Sequence, residues 1–217
     1  ISMIKMKKKK ITIFGHTGFL GKNIISQLNK KKINIFLPPR NKFKFSQNLG
    51  SIIYCIGSDD IIKNPLNAVV SNLLILSKII EQNKFETFTY ISSTRLYLNT
   101  NKTNENDDIK VKVNSKNYLF NSLKVAAENF CLSKNNKKIK VVRLSNLYGP
   151  NFSNQVYLLP SLIRDSLKKK KIKILINKKS KKNYLYVNDA IKIILKIINK
   201  SKYRIYNIAS NKRISLE

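Results

Sequence analysis

Histidine, cysteine and acidic residues are scarce in this chain of 217 residues, and each scarcity removes a class of chemistry. His16 is the only histidine, and the two cysteines, Cys55 and Cys131, have no partner at metal-like spacing. No metal site is therefore expected. Both cysteines fall in apolar segments that read as core strand and helix, so buried free thiols are expected and a disulfide is not. Long apolar runs are missing too. None reaches the roughly 18 residues that span a bilayer. The basic opening Ile1–Lys10 runs directly into a short strand pattern, with no signal-peptide hydrophobic region between them. A cytoplasmic protein without a membrane segment is expected.

Against 11 acidic residues stand 43 lysines and arginines, a net charge of +32. Clustered lysines attract polyanions and release their counterions. Here lysine, asparagine and isoleucine are abundant throughout, as AT-rich codon usage produces, and the lysines are not interleaved with aromatics on one element. Compositional drift is the favoured reading, and a nucleic-acid partner is not expected.

The hydrophobic fraction of 42% is that of a globular protein. Strand and helix patterns alternate, which implies a parallel sheet covered on both faces. Strands are expected at Ile11–Phe14, Lys32–Leu37, Ser51–Gly57, Thr87–Ile91, Ile139–Leu144, Ile172–Ile176, Tyr184–Val187 and Arg204–Ile208. Helices are expected at Gly18–Asn29, Pro65–Asn83, Tyr118–Leu132, Leu158–Lys168 and Asp189–Asn199. The polar, aperiodic stretch Asn99–Asn117 reads as a loop. The fold class is α/β: a Rossmann doubly wound parallel sheet over residues 1–150. Residues 151–217 supply a small substrate lobe interleaved with the last sheet strands.

The strand Ile11–Phe14 runs straight into Gly15-His16-Thr17-Gly18-Phe19-Leu20-Gly21. One glycine permits the tight bend, a second lets a pyrophosphate approach the backbone, and a third lets helix and strand pack closely. Phosphates then sit on the helix N-terminus, where unpaired N–H groups and the dipole favour negative charge. The context of strand before and helix after makes this a dinucleotide site. His16 reads as a turn residue held by backbone geometry, not as a catalytic one. An acidic residue ending the second strand would bond the adenosine ribose of NAD. That strand instead ends Phe36-Leu37-Pro38-Pro39-Arg40, so the cofactor is NADP or NAD, with Arg40 leaning the choice to NADP. The connection from Arg40 to Ser51 is too short for the usual helix and third strand.

GHTGFLG (15–21), YISSTRLY (90–97), LKVAAE (123–128), VVRLSNLYGP (141–150) and YLYVNDA (184–190) occur in that order. Together they resemble the extended short-chain dehydrogenase/reductases, the NAD(P)-dependent nucleotide-sugar epimerase/dehydratase family. The resemblance covers nearly the whole chain. It implies that Ser93 hydrogen-bonds the reacting sugar hydroxyl and that Lys124 binds the nicotinamide ribose. It places Gly15, Thr17, Gly18, Phe19, Leu20, Gly21, Ile56, Gly57, Asn72 and Ser145 against the cofactor, and Thr94, Asn146 and Lys182 near the substrate. It further implies a surface-polysaccharide enzyme with a nucleotide-sugar substrate, and a homodimer through the helices at 65–83 and 118–132.

The chain departs from that pattern at one decisive position. The family's general base is a tyrosine four residues before the lysine, and four before Lys124 stands Phe120. A phenyl ring has no proton to exchange. Tyr118, two residues away, reaches the site only if the helix starts late or is irregular; otherwise it is a packing residue. A non-catalytic dinucleotide-binding protein is the alternative. The chain stops where a further helix is expected, which implies either a compact member or an incomplete substrate lobe.

Overall fold

The computed structural model describes residues 10–57, 61–114, 118–150, 152, 158–170, 174, 177 and 179–215. Among them, β1 (Ile11–Phe14), β2 (Ile35–Phe36), β3 (Ser51–Tyr54), β4 (Thr87–Ser93), β5 (Ile139–Leu144) and β8 (Ile205–Ile208) form one sheet. Its order is β2-β1-β3-β4-β5-β8, and every neighbouring pair is parallel. Parallel strands need crossovers, and these lay helices on both faces. α1 (Phe19–Asn29) and α6 (Val187–Asn199) cover one face. The other is covered by α2 (Pro65–Val69) with α3 (Ile75–Gln82) and by α4 (Leu119–Ser133).

The core follows the two-residue period of the strands. Ile53 packs with Ile24, Leu28 and Ile194 on the α1/α6 face, whereas its neighbours Ile52 and Tyr54 pack with Leu76 and Ile79 on the other. Both faces being buried, β3 and β5 read as unbroken buried runs.

The chain steps from β1 outward to β2 and then returns to β3 on the opposite side of β1. That reversal opens a crevice at the carboxyl ends of β1 and β3, where doubly wound sheets bind ligands.

Several elements differ from expectation. β2 has only two residues, because Lys32 turns the chain with φ 52° and Pro38 cannot donate to a ladder. No helix or strand follows it before β3, so β2 is an edge of the sheet. Phe43 and Phe45 from this connection join Leu49 over the α3 face instead. Asn83 holds them there by donating to the Phe43 carbonyl (2.7 Å) and accepting from the Phe45 N–H (2.8 Å). The helix expected at 65–83 is interrupted by a π-turn at Val70–Leu74. Thr94–Asn99 forms a 3₁₀ turn, and β6 (Asn146–Tyr148), β7 (Lys182–Tyr186) and β9 (Arg213–Ile214) make a second small sheet. α5 (Leu158–Lys169) precedes β7. The strand expected at 172–176 lies outside the described residues.

Candidate active site

Gly15 leaves β1 with φ +88°, a conformation that side chains resist. A Cβ there would stand 2.7 Å from the Cys55 carbonyl group and the Ile56 nitrogen, so glycine is what lets β1 and β3 end side by side. At Gly21 an added Cβ would strike the Gly15 carbonyl oxygen and the His16 Cα. α1 is thereby packed against the turn. No side chain caps its first residues, and its N-terminal amides open toward the crevice as an anion seat. Thr17 and Gly18 are exposed at this mouth, with Phe19 and Leu20 half-buried behind them. Phe19 packs on Phe152 with tilted rings 4.6 Å apart, and Asn23 donates to the Pro150 carbonyl at 3.1 Å, tying α1 to the segment after β6.

A dinucleotide fits these residues. An added Cβ at Gly57, just past β3, meets nothing within 4 Å, so a ligand can approach this backbone. Asn72 Oδ1 and Ser145 Oγ are buried without a partner. Such orphaned polar atoms are costly unless something else satisfies them. Cys55, between these glycines, is no nucleophile. Its Sγ lies 3.1 Å from the Phe14 carbonyl oxygen, and burial pushes its thiol up to about 12. Burial likewise raises Cys131 to about 12.

Ser93 ends β4, where its Oγ accepts the Arg95 N–H at 3.1 Å. Lys124 is 6% exposed on α4. Its Nζ donates to the Ile91 carbonyl at 3.1 Å, two residues before Ser93, and lies 4.9 Å over the Tyr90 ring. Phe120 is one helical turn earlier. Two cations share its ring: Lys124 Nζ lies 5.7 Å from the centroid and the Arg95 guanidinium 5.3 Å. Tyr118 is the N-cap of α4 (φ −92°, ψ −9°), so the helix starts at Leu119, one residue later than expected. The Tyr118 carbonyl accepts the Ser122 hydroxyl at 3.2 Å.

The remaining residues divide by location. Thr94 Oγ1 reaches the Leu144 carbonyl at 3.4 Å, and the Ser145 N–H donates to the Ile208 carbonyl. Asn146 and Lys182 belong to the small sheet, where Asn146 Nδ2 bonds the Asn183 carbonyl at 2.9 Å. Arg40 is exposed beyond the β2 edge.

Residue-by-residue reading missed the polar node beneath the site. Arg143 on β5 donates to the Glu128 carboxylate and to the Tyr97 hydroxyl (2.6 Å). Tyr97 in turn bonds Asn207 Oδ1 and the Asn104 carbonyl. The Glu105 carboxylate accepts the Asn207 N–H at 2.8 Å, pinning the loop after β4 onto edge strand β8. Tyr97, Glu128 and Arg143 sat inside the sequence motifs, but only as spacing; Asn104, Glu105 and Asn207 lie outside them.

The model of the NAD dependent epimerase/dehydratase family matches residues 57–209. The chain belongs to that family. No curated protein sequence matches the chain. Solved structures are similar in fold. RMD from Pseudomonas aeruginosa complexed with NADPH aligns with a TM-score of 0.79 and 19% identity, covering 96% of this chain and 81% of that one. The NDP-hexosamine 5,6-dehydratase TunA gives 0.79 and 16%, over 96% and 78%. UDP-glucuronic acid 4-epimerase from Bacillus cereus, in complex with NAD, gives 0.79 and 15%, over 95% and 79%. Among the described residues, no helix is long and apolar enough to cross a membrane, and no His, Cys, Asp or Glu side chains gather into a metal site.

Proposed function

We propose that the chain binds NADP and acts as an epimerase, dehydratase or reductase on a nucleotide-linked sugar, in the cytoplasm and in surface-polysaccharide synthesis. The observation that carries this reading is the convergence of the Gly15–Gly21 turn, Ser93 and Lys124 at the carboxyl ends of β1, β3 and β4. When bound, the nicotinamide supplies a hydride acceptor or donor. Ser93 Oγ then holds the reacting hydroxyl or carbonyl, and Lys124 orients the ribose. Arg40 supplies a cation for the 2′-phosphate of NADP. The nucleotide end of the substrate takes the groove of about 890 Å³ between Tyr148, Phe152 and α5, whose apolar wall of Leu159, Ile163 and Leu167 is rimmed by Arg164 and Lys168.

Phe120 favours a second reading, a family member that holds the dinucleotide without turnover. Titration with NADPH and NADH followed by a nucleotide-sugar panel separates the two. The enzyme reading expects binding and turnover, the second expects binding alone, and absence of binding overturns both.

The pairing surface we assign is the outer face of α2, α3 and α4. Leu66 and Leu74 are exposed there, and Val125, Ala126 and Phe130 are half-buried. Between them these helices carry only two lysines, Lys78 and the buried Lys124. In a chain of net charge +32 a face poor in lysine favours a second copy, because like charges buried between copies would repel. The cations that remain there are exposed Lys78, one turn after Leu74, and Lys134, which pairs with Glu81 and lies 4.9 Å over the Phe130 ring.

A further inference from the structure

The helical segment after β3 is broken where it packs on α4, and a buried hydroxyl meets the break. At Val70–Leu74 the backbone widens to a π-turn, with the Ile75 N–H reaching back to the Val70 carbonyl. A step from i+4 to i+5 bonding and back leaves one carbonyl of a helix without an amide. Tyr54, the last residue of β3, supplies a donor there. Its hydroxyl bonds the Ser71 carbonyl at 2.5 Å, and both residues are buried. The Tyr54 ring is wedged among Phe14, Phe88 and Tyr90, with centroids 6.3, 6.0 and 6.1 Å away, so its hydroxyl has little freedom to turn elsewhere. Burial pushes the phenol pKa up, which keeps the proton it donates.

The π-turn also carries Asn72, which is 1% exposed. Asn72 Nδ2 donates to the Ala68 carbonyl at 2.9 Å, while Oδ1 is left without a partner. Fixing one end of the carboxamide leaves the other as an acceptor, and a buried acceptor costs stability until an N–H or O–H reaches it. The turn packs against α4, the helix of Phe120 and Lys124, and Ala68 and Val69 cluster there with Leu119, Phe120 and Leu123. The phosphate seat belongs to α1, which covers the opposite face of the sheet. A donor that reaches Asn72 therefore comes from the nicotinamide half of a dinucleotide, as a ribose hydroxyl or a carboxamide N–H.

We infer that Tyr54 is a positioning residue for the cofactor: through the Ser71 carbonyl it holds the π-turn that presents Asn72 Oδ1 to the nicotinamide half. The inference rests on the dinucleotide reading above. Its rival is a tyrosine that steadies the core and nothing more.

The experiment is calorimetric titration of the parent protein, Tyr54→Phe, Asn72→Ala and the double variant with NADPH and with 2′,5′-ADP, which has the adenosine half alone. Tyr54→Phe keeps the ring and its packing. It should weaken NADPH by about three- to tenfold, the range of one hydrogen bond, and leave 2′,5′-ADP unchanged. In the Asn72→Ala background the same substitution should cost no further affinity. Unchanged NADPH affinity in Tyr54→Phe overturns the inference. So does an equal loss for 2′,5′-ADP, or the same loss with and without Asn72, because a purely structural tyrosine acts on all of them alike. If Tyr54→Phe does not fold, hydrogen exchange of the parent decides. NADPH, but not 2′,5′-ADP, should slow the amides of Val70–Ile75, and equal exchange with the two ligands overturns the inference. A parent protein that binds no NADPH overturns the proposed function with it.

Discussion

The Arg143 guanidinium grips the Glu128 carboxylate from β5 to α4 with contacts of 3.1, 3.1 and 2.7 Å, both side chains about 95% buried. Burial alone would lower the arginine pKa, but Glu128, and after it Tyr97, more than offset that and raise it. The pair carries the load of the loop above it, since Arg143 also donates to Tyr97 and to the Glu105 carbonyl.

Removing one partner should therefore cost far more than removing both. Glu128→Ala leaves a buried guanidinium unpaired and should lower stability by about 3–5 kcal/mol. Urea unfolding of Glu128→Ala, Arg143→Met and the double variant Glu128→Leu/Arg143→Met measures this. The double variant should recover much of the loss; simple additivity would show that the two side chains act independently.

Gly15 and Gly57 should separate folding from dinucleotide binding. Gly15→Ala puts a Cβ 2.7 Å from the Cys55 carbonyl at φ +88°, strain of about 1–3 kcal/mol. It should lower the melting temperature and NADPH affinity together. Gly57→Ala meets nothing within 4 Å, so it should melt like the parent and lose affinity only. Unchanged NADPH titration in Gly57→Ala would remove that backbone from the cofactor path.

Phe120→Tyr places a phenol between the Arg95 and Lys124 cations, which favour its ionised form. Turnover of a matching nucleotide sugar should rise by about 10²–10⁴, the usual contribution of a positioned acid–base group. The gain should grow with pH as the phenolate forms. A flat response with unchanged cofactor binding would show that the proton carrier lies elsewhere.

The half-buried Cys55 and buried Cys131 thiols set a ceiling on alkaline stability. Cys55 and Cys131 are both raised from 9.0 to about 12, chiefly by burial. Well below pH 9 neither state ionises and the full stability is present. Between pH 9 and 12 the unfolded chain releases protons that the folded chain keeps, so stability falls by about 1.4 kcal/mol per pH unit for each group. Cys131→Ala should flatten the slope by one group in denaturant melts from pH 8 to 11, and an unaltered slope would contradict the assignment.

Pairing through the α2–α4 face should give a dimer by light scattering at micromolar concentration. Ala126→Arg adds a further like charge to that face and should yield a monomer with an unchanged melt of the individual subunit. A monomeric parent protein would overturn the interface.

Much of this molecule was legible before folding because its signals are local. The turn at Gly15–Gly21 announces itself through glycine spacing between a strand and a helix, and the buried strands through unbroken apolar runs such as Ile139–Leu144. Phe120 was legible in the same way, as the absence of a hydroxyl at a fixed offset from Lys124. Ladder boundaries were harder: β2 shrank to two residues because Lys32 and Pro38 act on backbone geometry, which apolar periodicity does not register.

The sequence by itself determined the alternating α/β order, the glycine turn and the phenylalanine four residues before Lys124, since each is read from neighbours within a few residues. Only the tertiary structure decided what surrounds that turn. It set β2 as the sheet edge, joined Arg143 to Glu128, and brought Arg95 over Phe120. Those relations join residues 15 to 25 positions apart, or strands ordered by crossover, and their energies exist only once the chain has closed those distances.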